Sequence, residues 1–111
     1  MSYAISLDAL LKASVYISGS ISKDPDFKAK FDRVEDWVMQ RGARRCLNPT
    51  IFPPGWAYSE YMEHCLIMVR HADVILMLPC WEQSNGATAE LAYARSLGRK
   101  VVFLTQKEAQ S

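Results

Sequence analysis

Five consecutive apolar residues, Val74-Ile-Leu-Met-Leu78, constrain this chain more than any other segment. The run has no polar alternation, so neither of its faces is built for water. It reads as a central parallel strand covered on both sides. Parallel strands need long crossovers, usually helices, and the flanking sequence supplies them. Val15-Tyr-Ile-Ser18 is a β-branched and aromatic run stopped by Gly19, a second buried strand. Phe27, Phe31, Val34 and Val38 have the spacing of an amphipathic helix, and Gly42 is its C-terminal stop. Asp24 is placed to cap that helix, with Pro25 at its first position. Arg45-Cys-Leu47 is a short strand that Asn48-Pro49 ends, and Pro53-Pro-Gly55 marks an irregular loop.

Tyr58, Tyr61, Met62, Cys65, Leu66 and Val69 trace a second amphipathic helix. Pro79 to Asn85 is a loop. Gly86 to Leu97 is a third helix, expected to be largely buried because Glu90 and Arg95 are its only charged residues. Gly98 ends it. Val101-Val-Phe-Leu104 is the last strand, and the tail from Gln106 is polar. Residues 5–12 form a short helix or an ordered tail.

The order β-α-β-α-β-α-β implies parallel strands joined by right-handed crossovers. The expected fold is an α/β, Rossmann- or flavodoxin-like three-layer sandwich on a four- to five-stranded parallel sheet, with strand order 2-1-3-4. A length of 111 residues gives one domain, with its core at about residues 14–104. In open parallel sheets ligands bind beyond the carboxyl ends of the strands, where the strand order reverses. Here that switch point lies between the first and third strands. Two loops meet there, one at Gly19 and Ser20, the other from Pro79 to Gly86.

Charge narrows the partners. With 13 basic and 12 acidic residues the net charge is +1, which leaves no basic footprint for polymeric nucleic acid or an anionic membrane. No apolar run approaches the ~20 residues that span a bilayer. The start of the chain lacks the basic and cleavage regions of a signal peptide. Cys46, Cys65 and Cys80 are odd in number and widely spaced, as reduced thiols are. A cytoplasmic protein is expected, with no cofactor. His64 and His71 have no metal-ligand spacing and read as solvated helix residues.

Glu90 carries the clearest chemical signal. It lies one turn past Gly86 on a small-residue surface, with Ala87 and Ala94 at −3 and +4. A carboxylate there is costly unless paired or useful. It is either a nucleophile or general base, or a Glu that favours the first turns of a helix. Gly19 permits close backbone approach, and Ser18 and Ser20 offer hydroxyls. Ser84, Asn85, Gly86 and Ala87 add another hydroxyl, an amide and a helix N-terminus. Together these suit a phosphate without any Lys. Neither loop matches the dinucleotide or Walker A patterns. Trp81 is a wall packed on the core or a base-stacking surface. Tyr16 faces either the cleft or the core. Trp56, Tyr58 and Tyr61 form a wall of the site or a subunit contact.

Val15-Tyr-Ile-Ser-Gly-Ser-Ile21, Asn48-Pro49, Ala72-Asp-Val-Ile75, Leu78-Pro-Cys-Trp-Glu-Gln-Ser-Asn-Gly-Ala87, Glu90 and Leu97-Gly98 resemble the nucleoside 2-deoxyribosyltransferase-like superfamily. The likeness is greatest to its small phage and prophage branch and covers about residues 14–104. The resemblance implies cleavage or transfer at the N-glycosidic bond of a 2-deoxynucleoside. It places Glu90, four residues after Gly86, as the nucleophile that forms a covalent deoxyribosyl intermediate. Transferases of the superfamily usually have an Asp two residues before that Gly. Ser84 stands there instead, as in the monophosphate N-glycosidase branch, where a Ser binds the 5′-phosphate. Tyr16, Gly19, Ser20 and Ile21 are similar to the same branch's first-strand motif. The likeness implies a nucleoside 5′-monophosphate, with Tyr16 positioning the nucleophile and Trp81 walling the base. One position departs: where these enzymes usually carry an acid in the preceding helix, this chain has Cys65. A missing acid weakens leaving-group protonation by about 10²–10⁴. The alternative is a non-catalytic nucleotide-binding or sequestering module in phage–host conflict. The short chain points to a homodimer or higher homo-oligomer, with aromatics of the 52–62 segment or the first helix completing a neighbour's site.

Overall fold

The computed structural model describes residues 9–21, 25–79 and 81–109. Four strands form one parallel sheet: β1 (Ser14–Ser18), β2 (Arg45–Leu47), β3 (Val74–Met77) and β4 (Lys100–Phe103). Their spatial order is β2-β1-β3-β4. Tyr16 stands opposite Ile75, and Ser18 opposite Met77. Strand order therefore reverses between β1 and β3, as the sequence predicts.

The helices are α1 (Phe27–Gln40), α2 (Tyr58–Arg70), α3 (Asn85–Ser96) and a terminal turn, α4 (Gln106–Ala109). They cover both faces of the sheet. On one face, α1 packs Phe31, Val34 and Val38 against Val15, Ile17 and Leu76. On the other, α2 and α3 pack Val69, Leu91 and Ala94 against Tyr16, Ile75 and Met77. All four residues of β3 are buried, so the unalternating run is the middle of a three-layer sandwich. Burying one such side chain is worth about 1.5–3 kcal/mol.

Several local expectations need correction. Residues 9–12 form a turn rather than a helix, and residues 5–8 lie outside the described residues. Asp24 also lies outside them. α1 starts at Phe27, two residues after Pro25, with Asp26 at the cap position. Trp37 joins its buried face, one turn beyond Val34. Gly42 adopts φ +87° just past its end, which a side chain would strain. Short 3₁₀ turns occupy Pro49–Ile51 and Trp81–Gln83, where the sequence predicts loops. α3 is not largely buried: only Ala87, Glu90, Leu91 and Ala94 are. Small residues on its outer face face water, because two layers already cover the sheet.

Asn48 locks the loop after β2. It is 3% exposed, and its amide nitrogen donates to Asp32 Oδ1 at 3.0 Å and Glu35 Oε1 at 2.9 Å on α1. Its oxygen accepts from the Thr50 amide at 2.9 Å and the Thr50 hydroxyl at 2.7 Å. Asn48→Ala leaves the buried Thr50 amide and hydroxyl without their acceptor and unties the loop from α1, and is expected to destabilise the fold by about 2 kcal/mol. Urea unfolding of the two proteins measures this; an unchanged midpoint would show the brace to be idle.

Candidate functional site

Side chains alternate across a strand, so Tyr16 and Ser18 project from the same face of β1. Glu90 comes to meet them from the second turn of α3. The Tyr16 hydroxyl donates to Glu90 Oε2 at 2.9 Å, and the Ser18 hydroxyl donates to Glu90 Oε1 at 2.6 Å. Both carboxyl oxygens are thus held, in a residue only 5% exposed. Cys65, from α2, lines the same cleft and bears on the electrostatics of Tyr16 and Glu90.

Burial dominates the electrostatics of this cluster. It pushes the Glu90 carboxyl up to about 7, against hydrogen bonds from Ser18, Tyr16 and Cys65 that pull it down. The Tyr16 hydroxyl is driven well above its ordinary range, first by burial and then by the nearby Glu90 charge. Burial pushes the Cys65 thiol up to about 11 and the Cys46 thiol up to about 12. Neither is a thiolate at neutral pH, so neither is an activated nucleophile. Both are free thiols, and Cys80 lies outside the described residues. The only carboxyl lining the cleft, among the described residues, is Glu90, and it ionises near the pH at which a general base or nucleophile is most useful.

Glu90 and Tyr16 form the floor of a cleft of about 840 Å³ at the carboxyl end of the sheet. That volume lies within the range of small-molecule sites. Gly19 lines it from the β1 loop. A Cβ there would sit 3.0 Å from Leu78 Cβ and Cδ1, so any other residue at this position would have to push the Leu78 side chain back by a few tenths of an ångström. Ser84, Asn85, Gly86 and Ala87 line it from the start of α3. The Ser84 hydroxyl caps that helix by accepting from the Ala87 amide at 3.1 Å. The amides of Asn85 and Gly86 belong to the first turn, where no carbonyl of the helix itself can accept them.

Three expected ligand contacts fall elsewhere. Ser18 is fully buried and committed to Glu90, so it holds the carboxyl rather than a ligand. The i, i+2 spacing of Tyr16 and Ser18 was the available signal for this. Ser20 Oγ is buried outside the lining and has no partner among the described residues. Trp81 also lies outside the lining; its ring packs on Phe103 of β4, with centroids 5.8 Å apart.

The aromatic wall comes from the same chain. Phe52, Trp56 and Tyr61 follow one another with ring centroids 5.3 Å apart at each step. His64, exposed but not merely solvated, leans on Trp56 at 4.9 Å. The 48–57 segment has no periodicity, so Thr50 gives no sequence signal of its place in the cleft; Phe52, one of the 52–62 aromatics expected to complete a neighbour's site, lines the cleft of its own chain. Phe27 and Lys28, at the start of α1, also line it. Among the described residues, no group of three or more His, Cys, Asp or Glu could hold a metal ion, and no helix is long and apolar enough to cross a membrane.

Residues 13–103 match DUF4406, described as a domain of unknown function. The chain belongs to the DUF4406 family. The match runs from just before β1 to the end of β4, so the DUF4406 domain is the whole sandwich, cleft included. No curated protein matches the chain.

Proposed function

We propose that this DUF4406 protein is an N-glycosidase or deoxyribosyltransferase-like enzyme that acts on a (deoxy)nucleoside 5′-monophosphate through Glu90. The observation that carries the proposal is the buried carboxyl, gripped by two hydroxyls, at the floor of a nucleotide-sized cleft. Its resemblance to the nucleoside 2-deoxyribosyltransferase-like superfamily, through Gly86 and Glu90, supports the same reading.

In this mechanism the ionised Glu90 attacks the anomeric carbon. A C–O bond forms to one carboxyl oxygen as the C–N bond to the base breaks, and the base leaves with the electron pair. Water or another base then displaces the carboxylate. Tyr16 and Ser18 each occupy one lone pair of Glu90, which fixes its orientation and leaves further lone pairs for attack. The buried carboxylate also steadies the positive charge that develops on the sugar. The base stacks on the Phe52–Trp56–Tyr61 wall. The phosphate lies against Gly19, the Ser84 hydroxyl and the free amides at the start of α3, where the helix dipole favours an anion.

Cys65 favours a second reading, a nucleotide-binding module without fast chemistry. It occupies the place beside Glu90 and Tyr16 where a proton donor is needed, and a thiol that ionises near 11 is a poor acid for a departing base.

One experiment separates the two. The protein is incubated with a panel of nucleosides and 5′-monophosphates, and base release and binding are both followed. Base release that depends on Glu90 establishes the enzyme. Tight binding with no release, unaffected by Glu90→Gln, establishes the module. The same panel tests the phosphate site. Ser84→Asp keeps a good helix cap but sets a carboxylate against the phosphate. Monophosphate binding is expected to weaken about 10²-fold, with nucleoside binding unchanged. Equal losses for both would remove the phosphate from this end of the cleft.

A further inference from the structure

Lys28 is misplaced by the rules of helix stability. It lies in the first turn of α1, which contains no acidic residue. A cation there opposes the helix dipole. Its ion pair runs to Asp32, with Nζ 3.1 Å from Oδ2. That is an i, i+4 pair with the basic residue on the N-terminal side, the weaker of the two orientations. The Lys28 side chain is 61% exposed, so it adds little to the core. Local stability therefore gives no reason for a lysine here.

The cleft does. Among the described lining residues, Lys28 is the only lysine or arginine, and Glu90 is the only carboxyl. Glu90 is half neutral near pH 7. Lys28 and the start of α3 thus give the cleft a positive character. Asp32, the present partner, is itself anchored: its Oδ1 accepts from the Asn48 amide nitrogen at 3.0 Å. Asp32 would keep that bond if the ammonium turned away, so a swap of partners at Lys28 strands no charge.

We propose that Lys28 is the charge-reading residue of the cleft, exchanging Asp32 for the anionic phosphate of the ligand. This inference rests on the nucleotide reading of the site and adds a residue that neither the motif nor the resemblance supplies. It also replaces the expectation of an anion site without lysine.

The test measures binding by calorimetry to wild type, Lys28→Gln and Lys28→Arg. The probes are deoxynucleoside 5′-monophosphates, the matching deoxynucleosides, and inorganic phosphate, each at low and high salt. Lys28→Gln is expected to weaken monophosphate binding about tenfold, the range of one exposed charge-assisted contact, and to flatten its salt dependence. Lys28→Arg retains binding, and nucleosides bind all three proteins alike. The free Lys28→Gln protein melts no lower than wild type, which a structural lysine would not allow. Unchanged monophosphate affinity in Lys28→Gln, or an equal loss for nucleosides, overturns the inference while leaving the nucleotide reading in place. Lys28-dependent binding of inorganic phosphate without nucleotide binding sustains Lys28 and removes the nucleotide. If neither monophosphates nor inorganic phosphate bind wild type, the inference falls.

Discussion

Glu90→Gln is expected to abolish base release, lowering the rate by a factor on the order of 10³–10⁶, the scale seen when a nucleophile is removed. Glutamine is nearly the same size, and its oxygen can still accept from Tyr16 or Ser18, so the cleft keeps its shape. It lacks the negative charge and cannot form the ester to the sugar. Monophosphate binding should therefore persist while turnover stops. The wild-type rate has its own signature. Only the ionised carboxyl attacks, and Glu90 ionises at about 7. The rate should rise tenfold per pH unit at low pH and level off above about 7. Base release that continues undiminished in Glu90→Gln would sink the nucleophile assignment. An acid limb near the ordinary carboxylate range would show that Glu90 is solvated when substrate binds.

Much of this architecture is written in short, strong signals. The run Val74–Leu78 specifies a strand buried on both sides, and the structure buries every residue of β3. Arg45–Leu47 and Tyr58 mark their elements to the residue, because a proline or glycine cluster punctuates each. Glu90 stood out because it was a lone carboxylate beside alanines. Other features depend on groups brought together from afar. Ser18 and Glu90 are 72 positions apart, and nothing local ties them. As a hydroxyl beside Gly19, Ser18 suggests a ligand contact, yet its two-residue offset from Tyr16 puts both on one face, where Glu90 takes it. Of the two readings of Trp81, a wall packed on the core or a base-stacking surface, the structure has the first: the 3₁₀ turn carries the ring onto Phe103, outside the cleft lining. Thr50 sits in a stretch with no period, held by Asn48, which is itself bonded to Glu35 of α1. Lys28 gives no sequence signal of its own; its place in the cleft follows from the start of α1 lying beyond the carboxyl end of β1.

The buried carboxyl should also leave a mark on stability that needs no substrate. In the unfolded chain Glu90 ionises near 4.5, and in the fold near 7. Below about pH 4.5 it is protonated in both states and contributes no pH dependence. Between the two values the unfolded chain has lost the proton while the folded chain keeps it, so folding becomes less favourable as pH rises. Above about 7 both states are ionised, and the fold bears the full cost of a buried charge, about 3 kcal/mol. This is the reverse of an ordinary salt-bridged carboxylate, which stabilises as pH rises. The wild-type curve sums every ionisable group in the protein, so alone it does not isolate Glu90. The difference between wild type and Glu90→Gln does. Glutamine has no proton to lose, and the Tyr16 and Ser18 hydroxyls rotate to suit its amide at a cost that does not depend on pH. Relative to wild type, the variant should gain about 3 kcal/mol between pH 4.5 and 8, roughly 12 °C in Tm for a domain of this size. Melting curves for both proteins across that range measure it. A difference in Tm that stays flat with pH would mean that Glu90 carries its charge at no cost, through water or a counter-ion in the cleft, and would remove the physical basis for a carboxyl poised near neutrality.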